Sequence, residues 1–129
     1  MTTVVAAVIE SNGRVLIAQR RNEGAHALKW EFPGGKVESG ESPPDALIRE
    51  LEEELAIRAQ IGEEIMRYEY QYPGRPPILL IFYSVKGFTG EMQNLNFERI
   101  AWIAPHQLRD YDFLEGDAPF ILKYALERA

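Results

Sequence analysis

The stretch "SPPDALIRELEEELAI", residues 42–57, can be satisfied by few structures. Read as a helix, it carries two faces that want opposite surroundings. Leu47, Leu51 and Leu55 recur every four residues with Ile48 beside them, an apolar stripe that must pack on a core. Glu50, Glu53 and Glu54 stand at i, i+3 and i+4 and share a second face, where carboxylates repel unless something positive sits among them. Glu52 points elsewhere, to solvent. Ser42 at the N-cap, proline at the first helical position and Asp45 after it set the start, and the helix is predicted to end near Ala56. The rest of the chain must therefore offer a sheet to one face and a cation, or plain solvent, to the other.

Residues 4–9, "VVAAVI", read as a buried strand, and "SNGR" carries the Asn-Gly signal of a tight hairpin that returns residues 15–19 as its partner. The polar "RRNEGAHALK", residues 20–29, predicts a loop. Residues 30–32 predict a short strand ending at a turn, Pro33-Gly34-Gly35, where glycine permits backbone that other residues avoid. Two long strands follow, residues 61–72 with the alternating "MRYEYQY" and residues 78–85 with the apolar "ILLIFYSV". Residues 100–104 add a strand, residues 105–108 a helical turn, and residues 117–127 a helix with Phe120, Ile121 and Tyr124 on one face. The expected class is α/β (α+β), a mixed β-sheet sandwiched between helices in a single domain over residues 1–129. Strand order does not follow from these signals.

Composition narrows the function. A net charge of −6 lacks the basic surface that neutralises a nucleic-acid backbone, so none is expected as a partner. A small phosphorylated substrate stays compatible, because a bound cation reverses the sign of one site. The absence of cysteine excludes disulfides, zinc–thiolate sites and thiol catalysis, and fits a reducing compartment. "VVAAVI" is too short for a signal peptide or a membrane span, so a soluble cytoplasmic protein, monomer or homodimer, is expected.

Three adjacent glutamates alone describe an ordinary solvated helix face. The full spacing over residues 35–57 describes more: Gly35, Glu41, then "RELEEELAI" from Arg49. It resembles the Nudix box, G-x5-E-x7-R-E-U-x-E-E-x-G-U with U bulky and apolar, and departs only at Ala56, where the consensus has glycine. Alanine in a left-handed helix-ending position costs about 1 kcal/mol and leaves the acids untouched. The resemblance implies a hydrolase of nucleoside diphosphates linked to another moiety, working with divalent metal, Mg²⁺ or Mn²⁺. Glu50, Glu53 and Glu54 would be ligands that also deprotonate or orient water, and Arg49 would pair with these carboxylates. Glu41 would support them, and the Gly34 carbonyl would add a further ligand. The metals would shield phosphate charge and make water more acidic.

Beyond the box the chain resembles the MutT-like nucleoside triphosphate pyrophosphohydrolases over nearly its full length. That branch implies cleavage of an oxidised or otherwise modified nucleoside triphosphate to monophosphate and pyrophosphate, clearing the nucleotide pool before DNA synthesis. CTP, ADP-ribose and dinucleoside polyphosphates are alternative substrates, and a non-catalytic nucleotide sensor is the alternative class. On "QRRNEGAHALKWEFPGGKVE", Arg21 would meet the phosphate or sugar region and His26 the base or ribose, with Glu31 and Phe32 as pocket wall. Glu98 matches a late glutamate that approaches the metals, and is equally a surface residue. Asp117 in "FLEGDAPFI" stands where the branch carries a base-reading asparagine, and equally at a helix N-cap. Ionised, it only accepts, which suits an exocyclic amino group; protonated by burial, it would donate as well. Tyr72-Pro73 does not discriminate among branches.

Overall fold

The computed structural model describes residues 1–128. In chain order the strands are β1 (Thr2–Val8), β2 (Glu10–Ser11), β3 (Arg14–Gln19), β4 (Trp30–Glu31), β5 (Gly34–Lys36), β6 (Arg58–Tyr70), β7 (Ile78–Thr89) and β8 (Arg99–Ile103). The helices are α1 (Pro43–Leu55) and α2 (Ala118–Glu127), with 3₁₀ turns at Pro105–Asp110 and Glu115–Asp117.

An uninterrupted apolar strand needs cover on both faces and partners on both edges, and β1 has them. It runs parallel to β7, Thr2 opposite Ile78 through Val8 opposite Ser84, and antiparallel to β5. With β6 the mixed sheet has the order β5-β1-β7-β6. Residues 15–19 are therefore not the hairpin partner of β1. The Asn12-Gly13 hairpin does form, pairing β3 with the short β2 and reaching the Ile9 carbonyl through the Leu16 N–H at 3.0 Å. Both edges of β1 are taken, however, so β3 instead joins β4 and β8 in a second, smaller sheet. The mixed sheet is one of two. Pro33 is the crossing point: its carbonyl accepts from Ala7 N–H at 2.8 Å as the chain passes from β4 to β5.

Residues 34–36 form a strand rather than the expected turn, and a close approach explains the glycine. A Cβ on Gly34 would lie 1.9 Å from the Val5 carbonyl oxygen. The β6–β7 pair spans Arg58–Tyr70 and Ile78–Thr89, with register shifts between Gln60 and Met66, so β6 starts earlier than predicted, Tyr72 falls just beyond it, and β7 runs past Val85. Those shifts interrupt the period-two pattern from which the strand bounds were read.

Side chains alternate across β1. Val5 and Ala7 pack with Leu47, Leu51 and Leu55 of α1, while Ala6 and Val8 pack with Phe120 and Tyr124 of α2. The mixed sheet is sandwiched between helices as expected. On the α2 side Phe82 stacks on Phe120 with centroids 4.1 Å apart, and Phe32 meets both rings edge-on. Ser42, in extended backbone, accepts from Asp45 N–H at 3.2 Å and starts α1. At the other end Ala56 takes φ 57°, ψ 29°, the left-handed geometry for which the consensus has glycine. Among the described residues, no helix is long and apolar enough to cross a membrane.

Candidate active site

The apolar stripe of α1 is pinned to the sheet, so its acidic face is presented to the β5 edge. Gly35 is glycine because that face comes so close: a Cβ there would lie 2.5 Å from the Glu50 carboxyl. Arg49 organises the acids. It donates to Glu41 at 2.7 and 2.9 Å, to Glu50 at 2.8 Å and to the Lys36 carbonyl at 3.1 Å, and reaches Glu53 at 3.5 Å. These bonds hold the Glu41 carboxyl down to about 2, helped by the Glu38 N–H, and push the Arg49 guanidinium up. Arg49 is thus the hub of the box rather than an isolated surface ion pair.

Glu54 sits deeper. Gly34 N–H donates to its Oε1 at 3.2 Å, and Asn96 approaches its other oxygen at 3.5 Å. Burial first, then the Glu50 and Glu31 carboxyls, push Glu54 up to about 9. Burial likewise raises Glu50, against the pull of Arg49. Among the described residues no three acidic or histidine side chains converge on one point as a finished coordination shell, since Arg49 holds Glu50 and Glu53 to itself. The donor set nevertheless fits a hard divalent ion. It offers only oxygens, and the one guanidinium of Arg49 faces four carboxyls, those of Glu38, Glu41, Glu50 and Glu53, leaving the group net negative.

A cleft of 310 Å³ runs from Glu54 and Gly34 to Asp117, past Glu31, Phe32, His26 and Tyr72. Asp117 is 6% exposed. Burial, then the Glu31 carboxyl, push it up to about 8, while the Phe32 N–H holds the value down. Asp117 does not cap α2: its backbone is already helical at φ −85°, ψ −10°, continuing from the 3₁₀ turn, and its side chain makes no capping bond. A capping residue needs extended backbone. His26 has φ 66° and lies 4.8 Å, ring to ring, from Tyr72 at the cleft wall. Glu31 is raised by burial despite its 3.1 Å pair with Arg20.

Two predicted residues stand apart. Glu98 is exposed, its backbone N–H bonded to the Gln19 carbonyl, and it does not line the cleft. Arg21 donates to the Asn96 carbonyl at 2.9 Å and lines a neighbouring 200 Å³ hollow with Arg20 and Glu31. Sequence reasoning missed Asn96, which the chain brings to Glu54 through an Asn94 turn and a Leu95 N–H bond to the Glu54 carbonyl. It also missed Tyr68, whose hydroxyl reaches the backbone before Asp117. Nothing local in "NLNFE" or "RYEYQY" signals either contact.

The NUDIX domain family model matches residues 1–124. The chain belongs to the Nudix family. As a Nudix hydrolase it is a phosphoanhydride-cleaving enzyme, and Nudix hydrolases need divalent metal ions. It is 39% identical to the CTP pyrophosphohydrolase of Escherichia coli over 100% of this chain and 95% of that protein. It is 34% identical to the E. coli 8-oxo-dGTP diphosphatase over 92% of each. Among solved structures, the E. coli ORF135 protein superposes with a TM-score of 0.88 at 39% identity, covering 100% of this chain and 91% of that one. A MutT structure from a study of Aliivibrio salmonicida and Vibrio cholerae gives 0.77 at 27% identity, covering 98% of both.

Proposed function

We propose that this Nudix enzyme hydrolyses nucleoside triphosphates to monophosphate and pyrophosphate, with cytosine nucleotides preferred. The observation that carries the base preference is Asp117, a buried carboxyl at one end of a cleft whose other end holds Glu54 of the box. With its value near 8, it is mostly neutral at pH 7 and presents a C=O beside an O–H. Cytosine offers the complement, an N4–H donor beside an unprotonated N3. The relative named CTP pyrophosphohydrolase supports this choice. A guanine edge can also pair with a neutral carboxyl, and relatives named 8-oxo-dGTP diphosphatase favour modified purines as a second reading.

Glu50, Glu53 and Glu54, with the Gly34 carbonyl, would hold Mg²⁺, which supplies charge neutralisation on the phosphates and a more acidic water. The remaining work belongs to the protein. Arg49 fixes the rotamers of Glu50 and Glu41. His26 and Tyr72 wall the base region and Asp117 reads its edge. Glu53, largely exposed on the acidic face of α1, would take a proton from water. Arg20, paired with Glu31, is the cation beside the phosphate path.

A panel of CTP, dCTP, UTP, dGTP, 8-oxo-dGTP and ADP-ribose with Mg²⁺, each product identified, tests the reading. CTP or dCTP should give the highest kcat/KM and yield pyrophosphate. Cleavage of ADP-ribose alone, or of no member, sinks it.

A further inference from the structure

Gly116 precedes Asp117, and both of its backbone polar groups are held by side chains from a distant part of the chain. Tyr68, on β6, donates its hydroxyl to the Gly116 carbonyl at 2.7 Å. Tyr72, just beyond β6, accepts the Gly116 N–H at 2.9 Å. The carbonyl of Gly116 and the N–H of Asp117 are two ends of one peptide unit, and that N–H is bonded to the Leu114 carbonyl at 3.0 Å. The unit from which Asp117 hangs is therefore fixed at both ends, and the unit before it by Tyr72.

Glycine between them leaves the two tyrosines room: a Cβ at position 116 would meet the Tyr72 hydroxyl at 2.7 Å and Tyr70 at 3.3 Å and would push the Tyr72 hydroxyl aside. Tyr68 is itself locked, its ring stacked 5.8 Å from Phe82 in the core. Asp117 makes no capping bond, which leaves its carboxyl to the cleft. Tyr72 works on both sides, its ring on the cleft wall against His26 and its hydroxyl behind Asp117.

We propose that Tyr68 and Tyr72 are specificity-positioning residues: their hydroxyls clamp the Gly116 peptide and so set the angle at which Asp117 meets the base. The proposal rests on the reading of Asp117 as the base-contacting residue. A carboxyl held on a short side chain can discriminate only as sharply as its backbone is held, because reading an edge depends on sub-ångström hydrogen-bond geometry.

Tyr68→Phe and Tyr72→Phe keep both rings, hence the Phe82 stack and the His26 wall, and delete only the hydroxyls. Each should lower the ratio of kcat/KM for CTP to that for UTP by about fivefold, the worth of one neutral hydrogen bond. For Tyr68→Phe, which lies outside the cleft lining, the change should lie in the KM for CTP, with kcat and the KM for UTP within about twofold of wild type on the same scale. In the nucleotide-free protein, Tyr72→Phe should also remove the exchange protection of the Gly116 amide. A selective wild type whose CTP/UTP ratio survives both substitutions overturns the clamp alone. So does a fall in kcat on both substrates with the ratio intact, the mark of a merely structural role. A wild type without base selectivity overturns the parent reading and this one with it.

Discussion

Glu53 and Glu54 adjoin in sequence and differ in setting. The Glu53 side chain is 59% exposed, whereas Glu54 lies against Gly34 and Asn96. Glu53→Gln removes an exposed charge without touching packing. We expect kcat to fall by about 10²–10⁴-fold, the range for a lost proton-transfer group, with the thermal midpoint unchanged. Glu54→Gln replaces an acid already pushed toward its neutral form with an isostere whose oxygen still accepts from Gly34. It should lose comparable activity yet unfold at no lower denaturant. Near-normal turnover in both variants would remove the box acids from the mechanism. Asp117 separates reading from folding in the same way. Asp117→Asn keeps a donor beside an acceptor, and should retain the cytosine preference with stability retained at pH 7. Asp117→Ala should flatten the preference across a nucleotide panel; an unchanged preference would leave Asp117 without a reading role.

At the scale of elements, the end of α1 is the most exposed test of the backbone argument. Ala56 holds φ 57°, so Ala56→Gly should stabilise the fold by about 0.5–1 kcal/mol at unchanged kcat, measured by urea unfolding. A loss of stability would mean that the unfolded-state entropy of glycine outweighs the strain. α1 was legible because every signal there is local: Ser42 and Asp45 at one end, leucines on one face, acids on another. The Arg49 hub followed from the motif resemblance. The sheets were less legible. β1 and β3 lie either side of an Asn-Gly turn and look like a hairpin, yet the parallel β7, remote in sequence, takes the edge of β1. A three-residue β5 carries no periodic signal at all; only the clash a side chain would make with Val5 reveals why Gly34 is there. The base end of the cleft had the same difficulty. Asp117 was found by motif position, but its helical backbone, which rules out capping, is set by the 3₁₀ turn before it. Asn96, Tyr68 and Tyr72 become site residues only through contacts across 42 to 48 positions of chain.

Across the whole molecule, the cleft gathers acids raised by burial: Glu31, Glu54 to about 9 and Asp117 to about 8. In the unfolded chain such groups titrate near about 4. Between that value and the folded one, the folded state holds protons that the unfolded state has released, so stability falls as pH rises through the window. Glu41, held to about 2, acts oppositely: its contribution is present above about 4 and lost as pH drops toward 2, and it is small because the pair faces solvent. Metal-free protein should therefore be most stable near about pH 4–5 and weaken toward pH 9, each fully titrating buried acid contributing a slope of up to about 1.4 kcal/mol per pH unit. Asp117→Asn should remove one such slope, most visibly between pH 5 and pH 8. A divalent ion binds the deprotonated acids, so proton release and metal binding are linked. The stabilisation by Mg²⁺ should accordingly grow with pH, since a ligand that favours the folded state raises its midpoint in proportion to its affinity there. Thermal midpoints at pH 5, 7 and 9, with Mg²⁺ and with chelator, measure both effects. The curves should lie close together at pH 5 and separate by pH 9, with the separation lost in Glu53→Gln. A separation equal at all three pH values would mean that Mg²⁺ stabilises the fold without displacing protons from these acids.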